Sequence, residues 1–286
     1  MSSETYPSAS RARLHHALLL APAILLLVGL FVLPSLDVAR SSAFAPDFSL
    51  SNFERFFSRS VYSEVLLRTT LTSIQVAAIC TIFGYPAACY IAGQPRERQF
   101  MLLFIMLLTL WMSVLIRSYA WVVLLGREGP LNNLLQTLGL TQGPVKLVYT
   151  STASLVAMVQ ILLPLQIVTC VGAMTEIDLN LVKAARVLGA TPSQAFWRVY
   201  FPLSLNGVVN AATIVFMLAM GFFITPALVG GRSDLLLGNL IEQQVTQLQW
   251  GFAATLAMVL VVAAFAGYLF LKAFGRMLAR ALGSRL

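Results

Sequence analysis

The chain has 286 residues, of which 58% are hydrophobic and only 10% are charged. A soluble domain carries about 25% charged residues, so this composition argues against a water-soluble globular enzyme, and its hydrophobicity excludes a disordered chain. The formal net charge is +8. In a soluble protein such an excess would indicate a nucleic-acid partner, but in a membrane protein it records which loops stay in the cytoplasm, so we expect no nucleic-acid partner.

Long apolar runs without ionisable residues follow one another along the chain. Each run can form a helix of about 20 residues, which crosses a hydrocarbon core of about 30 Å and satisfies its own backbone hydrogen bonds in the lipid bilayer. The runs lack the alternating segments of about ten residues that are typical of a membrane β-barrel. The sequence therefore predicts an all-α integral membrane protein with six transmembrane helices, at about 17–36, 69–93, 100–125, 150–174, 204–228 and 251–272.

The two ends of the chain are predicted to lie on the same side of the membrane. With residues 1–16 inside, eleven Lys and Arg residues fall on cytoplasmic segments and eight fall elsewhere. Basic residues are retained on the cytoplasmic side, so residues 1–16 and the tail 276–286 are both placed in the cytoplasm, flanking a transmembrane domain at 17–275. We expect the first run to be a retained helix, because its 20 residues exceed the apolar stretch of about 7–15 in a signal peptide.

Two outer loops carry helical patterns of their own. Apolar residues recur at helical spacing after Pro130, which suits a first helical position, and Gly139 suits the C-terminal cap. A second candidate helix runs over about 234–249. Such helices either pack the outer mouth of the bundle or contact a solute there.

The most informative inner segment is the loop 175–203. It predicts a helix over 179–188 that is stopped by Gly189, because glycine tolerates the left-handed cap conformation. A second helix begins at Thr191 as N-cap, with Pro192 at the first position and Gln194 completing a capping box, and is expected to end at Pro202. The result is a cytoplasmic double-helix loop shaped to press on another protein.

This loop resembles the EAA loop of ABC-importer permeases, in which Glu-Ala-Ala is followed after three residues by Gly and then by an apolar stretch ending in Leu-Pro. Lys183 stands here where the pattern has Glu, and Phe201 where it has Leu. The resemblance implies that the loop docks on a cytoplasmic ABC ATPase dimer. The residues implied in docking are Lys183, Ala184, Ala185, Gly189, Ala190, Phe196 and Pro202.

Other stretches are similar to the spermidine/putrescine branch of these permeases, and the resemblance covers most of 60–275. It implies a permease subunit of an ATP-driven importer in the bacterial inner membrane, forming half of a translocation pathway. The implied partners are a second, homologous permease subunit and an extracytoplasmic solute-binding protein. The implied solute is a polyamine, with another small organic solute or a metal chelate as the alternative. The stretches lie at 115–121, 129–133, 228–231 and 237–244.

The chain shows no energy source of its own. The six predicted spans contain no Asp, Glu or His, which ion-coupled transporters use, and no Gly-Lys dipeptide of a phosphate-binding loop occurs. Either a partner supplies the energy or the protein is a passive channel or a non-transport membrane scaffold. We expect a non-catalytic chain that binds no cofactor or metal, with ATP and magnesium on the partner ATPase.

One basic residue, Arg117, lies well inside a predicted span, with Trp121 one turn later on the same face. It either lines or gates a pathway, or is a structural arginine anchored to carbonyl groups or stacked on Trp121. Polar residues on other spans are further pathway candidates, although such groups also bond neighbouring helices. They are Asn206, Asn210 and Thr213, which share one face of the fifth predicted span, and Gln160.

Overall fold

The computed structural model describes residues 20–43, 50–231 and 234–281, and within these ranges every regular element is a helix. The elements in chain order are α1 (Leu20–Ala43), α2 (Ser51–Ser58), α3 (Ser60–Ala92), α4 (Arg96–Trp111), α5 (Val114–Leu125), α6 (Pro130–Thr137), α7 (Ser151–Thr175), α8 (Leu179–Val187), α9 (Pro192–Met220), α10 (Ile224–Val229), α11 (Leu237–Thr246) and α12 (Trp250–Ala281).

The core lies where three long helices, α3, α7 and α9, pack against one another. Val76 of α3, Met158 of α7 and Val215 of α9 are fully buried there. The backbones of α7 and α9 approach closely, since a Cβ added to Gly207 would lie 2.3 Å from the Cβ of Ala173. Small residues at such a contact let membrane helices pack by van der Waals attraction. The long helix α12 packs along α9, and α1 packs along α12.

Several helices extend beyond the predicted spans. The 33 residues of α3 make a helix about 50 Å long, whereas the hydrocarbon core of a bilayer is about 30 Å thick. The ends of α3 can therefore project into the membrane–water interfaces. These extensions place Asp37 on α1 and Glu64 on α3, outside the predicted spans, which contain no Asp, Glu or His. α12 continues to Ala281, past the predicted start of the tail at 276. Residues 1–19 and 282–286 lie outside the described residues.

The third predicted span, 100–125, is not one straight helix. It is divided into α4 and α5 at Met112 and Ser113, both in extended backbone conformations. The direction of α4 differs by 88° from that of the segment Val114–Thr137 that follows the break. By length and composition, five described helices can each cross a membrane, and the count is six if the bent pair is one span. The predicted all-α membrane bundle is therefore confirmed, and the six predicted transmembrane helices correspond to the count in which the third span is broken.

The prediction that Pro202 ends the second hairpin helix is wrong, because α9 continues through it to Met220. Proline has no N–H, and its ring clashes with the carbonyl four residues earlier in a regular helix. The chain widens into a π turn over Phe196–Tyr200, where the Phe201 N–H donates to the Phe196 carbonyl five residues back. The same π turn precedes Pro34 in α1. The second hairpin helix and the fifth span thus form one continuous helix, which ends at Met220, before the predicted boundary at 228.

Short helices cover one end of the bundle. α6 begins at Pro130, and the chain leaves it through Gly139, whose φ is +69°, as the pattern predicts. α11 (Leu237–Thr246) is shorter than the predicted 234–249. α2 was not predicted, although its phenylalanines recur at helical spacing. Phe56 of α2 is 1% exposed and shares a cluster with Phe252 of α12.

Candidate functional sites: the hairpin and the broken span

The hairpin, residues 175–203, is built from local capping interactions. The Asp178 carboxylate accepts from the Asn180 N–H at 2.9 Å and starts α8. Gly189 turns the chain with φ +91°. The Thr191 N–H then donates to the Gln194 side chain at 3.0 Å, and the Gln194 N–H donates to the Thr191 hydroxyl at 3.3 Å. This capping box confirms the predicted start of the second helix.

The tip of the hairpin presents large apolar side chains to the surroundings. Val187 is 88% exposed and Leu188 is 87% exposed, and neither was among the predicted docking residues, although both lie beside Gly189. Exposed apolar side chains of this size at the end of a well-capped turn are typical of a surface that another protein covers. The predicted docking residues divide by exposure: Lys183, Ala184 and Gly189 are exposed, Ala185, Ala190 and Phe196 are half-buried, and Pro202 is buried.

Arg117 lies on α5 and is 7% exposed. Its Nη2 donates to the carbonyl oxygen of Met112 at 3.2 Å, and its Nη1 donates to the carbonyl oxygen of Ile161 on α7 at 3.3 Å. Met112 directly follows the last residue of α4, so the guanidinium satisfies an acceptor that the break leaves without its helical donor. This geometry favours a structural anchor over a pathway residue.

The second half of the broken span is held by further polar contacts. The hydroxyls of Ser118 on α5 and Thr225 on α10 are 2.9 Å apart, and both residues are fully buried. Trp121 donates from its indole N–H to the Gln160 side-chain oxygen at 3.3 Å. Two of the predicted pathway candidates, Trp121 and Gln160, are therefore brought together. Ser118 and Thr225 were not predicted, because lone hydroxyl residues in apolar runs give no pairing signal.

The three pathway candidates on the fifth predicted span lie in different environments. Asn206 and Asn210 are exposed on α9, and Asn210 accepts a hydrogen bond from Lys272 of α12. Thr213 is 3% exposed, and its hydroxyl donates to the Val209 carbonyl of its own helix at 2.6 Å. The face predicted to be shared thus separates into two exposed amides and one hydroxyl satisfied inside the bundle.

Two asparagines hold loops together in the stretches that resemble the spermidine/putrescine branch, 129–133 and 237–244. Asn132 is fully buried. Its amide donates to the Gly126 and Val145 carbonyls at 2.9 and 3.0 Å and accepts from the Val145 N–H at 2.9 Å. Asn239 donates to the Phe223 carbonyl at 2.7 Å. These side chains fix α6 and α11 against the bundle. The two stretches that resemble the spermidine/putrescine branch therefore contain residues with a structural role.

The structure has membrane-spanning helices around a three-helix core and a capped hairpin with an exposed apolar tip. These features define a polytopic membrane protein. The family described as "Binding-protein-dependent transport system inner membrane component" matches residues 80–286. The chain belongs to this family and is the permease subunit of an ABC importer.

Relatives and solved structures agree with this assignment. The chain is 33% identical over 216 residues to the spermidine/putrescine transport system permease protein PotB of Escherichia coli (strain K12), covering 75% of this chain and 78% of that one. It is 32% identical over 223 residues to PotB of Haemophilus influenzae (strain ATCC 51907 / DSM 11121 / KW20 / Rd), covering 78% of each. A chain of the bacterial alginate ABC transporter in complex with alginate pentasaccharide-bound periplasmic protein shares the fold, with TM-score 0.70, 18% identity and coverage of 94% and 96%.

Proposed function

We propose that this permease subunit imports a polyamine of the spermidine/putrescine class. The observation that carries the proposal is the 33% identity over 216 residues to a permease whose name gives that solute. The match covers three quarters of both chains, so it extends over most of the bundle rather than over the hairpin alone. A different small organic solute or a metal chelate is the alternative.

The hairpin is the proposed docking site for a cytoplasmic ABC ATPase dimer. Its exposed tip, Val187 and Leu188, offers an apolar contact, and Lys183 and Ala184 extend the same exposed side of α8. Because α9 runs from the hairpin into the core as one helix, a displacement of the hairpin by the ATPase would reach the packed helices directly. Rigid elements of this kind carry a rigid-body transition between two states. ATP and magnesium belong to the ATPase, and this chain is the non-catalytic partner.

The exposed polar side chains of the bundle are the proposed pathway. Asn206, Asn210 and Gln160 are exposed on helices α9 and α7, and an amide in a membrane needs a polar partner or water. A second, homologous permease subunit would complete a pathway of which this chain forms half. A solute-binding protein, which the family description names, would deliver the solute on the side opposite the hairpin. The hairpin and both termini are placed in the cytoplasm.

A transport assay separates the proposed solute from the alternatives. The chain is purified from membranes with the proteins that accompany it, an ATPase and a binding protein are sought among them, and the complex is reconstituted in proteoliposomes. We expect spermidine or putrescine to stimulate ATP hydrolysis several-fold and to accumulate inside, and this stimulation should disappear when the binding protein is omitted. Stimulation by another solute at unchanged basal activity would contradict the polyamine proposal, and no ATPase in the complex would contradict the docking proposal.

A further inference from the structure

A cavity of about 530 Å³ lies between the hairpin and the ends of three helices. Its walls come from the end of α3, the start of α4, the end of α7 and the inner sides of α8 and α9. Most of the lining is apolar, and Met174, Ile177 and Phe196 are examples. The predicted spans 69–93 and 150–174 end at the lining residues Gly93 and Met174, so we place the cavity at the level of the membrane surface.

Two arginines, Arg96 of α4 and Arg186 of α8, line this cavity. Within the described ranges 20–43, 50–231 and 234–281, neither guanidinium makes a hydrogen bond or an ion pair. The acidic residues nearest to them in sequence, Glu97 and Asp178, are not among the lining residues. Both side chains are exposed, and two cations that line one cavity favour an anion in it.

We propose that this cavity binds an anionic phospholipid of the adjoining leaflet, with its phosphate on Arg96 and Arg186 and the start of its acyl chains on the apolar walls. Guanidinium groups form paired hydrogen bonds with phosphate oxygens, and basic pockets between membrane helices bind anionic lipid headgroups. A soluble anion would match the two arginines but would leave the apolar walls of Met174, Ile177 and Phe196 without a partner. A phospholipid matches both the charge and the apolar walls.

The occupant would connect the hairpin to the bundle. Leu179, Val182 and Arg186 line the cavity from one side of α8, whereas Val187 and Leu188 are exposed on the other side and are not among the lining residues. The lipid and the docked partner therefore would not compete. A lipid joining α8 to α3, α4 and α7 would stiffen the hairpin, and this consequence for coupling rests on the proposed function, whereas the binding itself does not.

Native mass spectrometry of the purified full chain in detergent measures the binding. The delipidated protein is offered phosphatidylglycerol or phosphatidylcholine with identical acyl chains. Two basic groups strengthen binding at an anionic surface by a factor of about thirty, so we expect about thirtyfold preference for phosphatidylglycerol. The double variant Arg96→Gln/Arg186→Gln should lose that preference, and Arg96→Lys/Arg186→Lys, which keeps both charges, should retain most of it.

The matched control is Arg98→Gln/Arg198→Gln. It removes the same charge from α4 and α9 at residues that are exposed and do not line the cavity, and it should retain the preference. Equal losses from both Gln pairs, or no preference in the unaltered chain, would overturn the site. Displacement of the bound lipid by millimolar glycerol phosphate would also overturn it, in favour of a soluble phosphate. Because no ATP, solute or partner is present, these outcomes do not depend on the polyamine or docking proposals.

Discussion

Arg117 donates a hydrogen bond to the main-chain carbonyl of Met112 at 3.2 Å, across the break that divides the third membrane span. The same guanidinium reaches the Ile161 carbonyl at 3.3 Å and so joins the break to α7. A buried cation in a membrane helix needs such partners, and a broken helix needs a donor for its last carbonyls. The guanidinium of Arg117 therefore supplies the donor that the broken helix lacks, and the carbonyl at the break supplies an acceptor that the buried cation needs.

Arg117→Ala should destabilise the protein more than it alters transport by correctly folded molecules. It removes two hydrogen bonds from a charged donor. The bond to the buried Ile161 carbonyl is worth about 1.5–3 kcal/mol, whereas the bond to Met112, which is 50% exposed, contributes less. We expect a loss of about 2–4 kcal/mol, seen as a fall of the melting temperature in detergent on the order of 5–10 °C. Arg127→Ala, at an exposed position just after α5, is the control and should leave the melting temperature unchanged. A normal melting temperature with impaired uptake would instead support the gating role.

Gly207→Ala should loosen the contact between α7 and α9. The new Cβ would meet the Cβ of Ala173 at 2.3 Å, and overpacking of this kind costs about 1–3 kcal/mol. The control is Gly172→Ala on α7, where nothing lies within 4 Å of an added Cβ, and where alanine should stabilise the helix by about 0.5–1 kcal/mol. Thermal unfolding of the two variants should therefore shift in opposite directions, and Ala173→Gly should restore the Gly207→Ala protein. Equal shifts would refute the close packing.

Reporter fusions test the orientation of the chain. Fusions at residues 97 and 190 should report the cytoplasm, and fusions at 135 and 240 should report the outside. The reason is the excess of Lys and Arg on the segments placed inside. An alkaline phosphatase and green fluorescent protein pair reads both sides independently. A cytoplasmic signal at 135 would contradict the predicted topology and the placement of the hairpin on the side of the ATPase.

Local signals predicted the fold wherever the structure depends on local interactions. Gly189 and the Thr191 cap could be placed because left-handed turns and capping boxes require particular residue types within a few positions. The break at Met112 and Ser113 could not, since neither Pro nor Gly occurs there; it depends on contacts of Arg117 with Met112 and Ile161.

The candidate sites follow the same division. Hydropathy and caps located the hairpin, but the exposure of Val187 and Leu188 depends on how α8 packs against the bundle. The pairing of Ser118 with Thr225 joins residues 107 positions apart, and no periodicity in the sequence reports it. The prediction at Pro202 was wrong because a helix can contain a proline when the preceding turn widens. That widening depends on the whole helix and not on the proline alone.

We propose that the hairpin transmits the conformational change driven by ATP hydrolysis to the membrane helices. The ratio of solute imported to ATP hydrolysed, measured in proteoliposomes, tests this coupling most directly. Gly189→Asp places a side chain at φ +91° and a charge beside the apolar tip. Gly139→Asp is the matched control, since φ is +69° there and both sites have open space for a Cβ. Both variants carry a left-handed penalty of about 1–2 kcal/mol, so the charge beside the docking tip is what separates them. We predict that the ratio falls by about tenfold or more for Gly189→Asp, with normal amounts in the membrane, and holds for Gly139→Asp. An unchanged ratio for Gly189→Asp would contradict the proposed coupling.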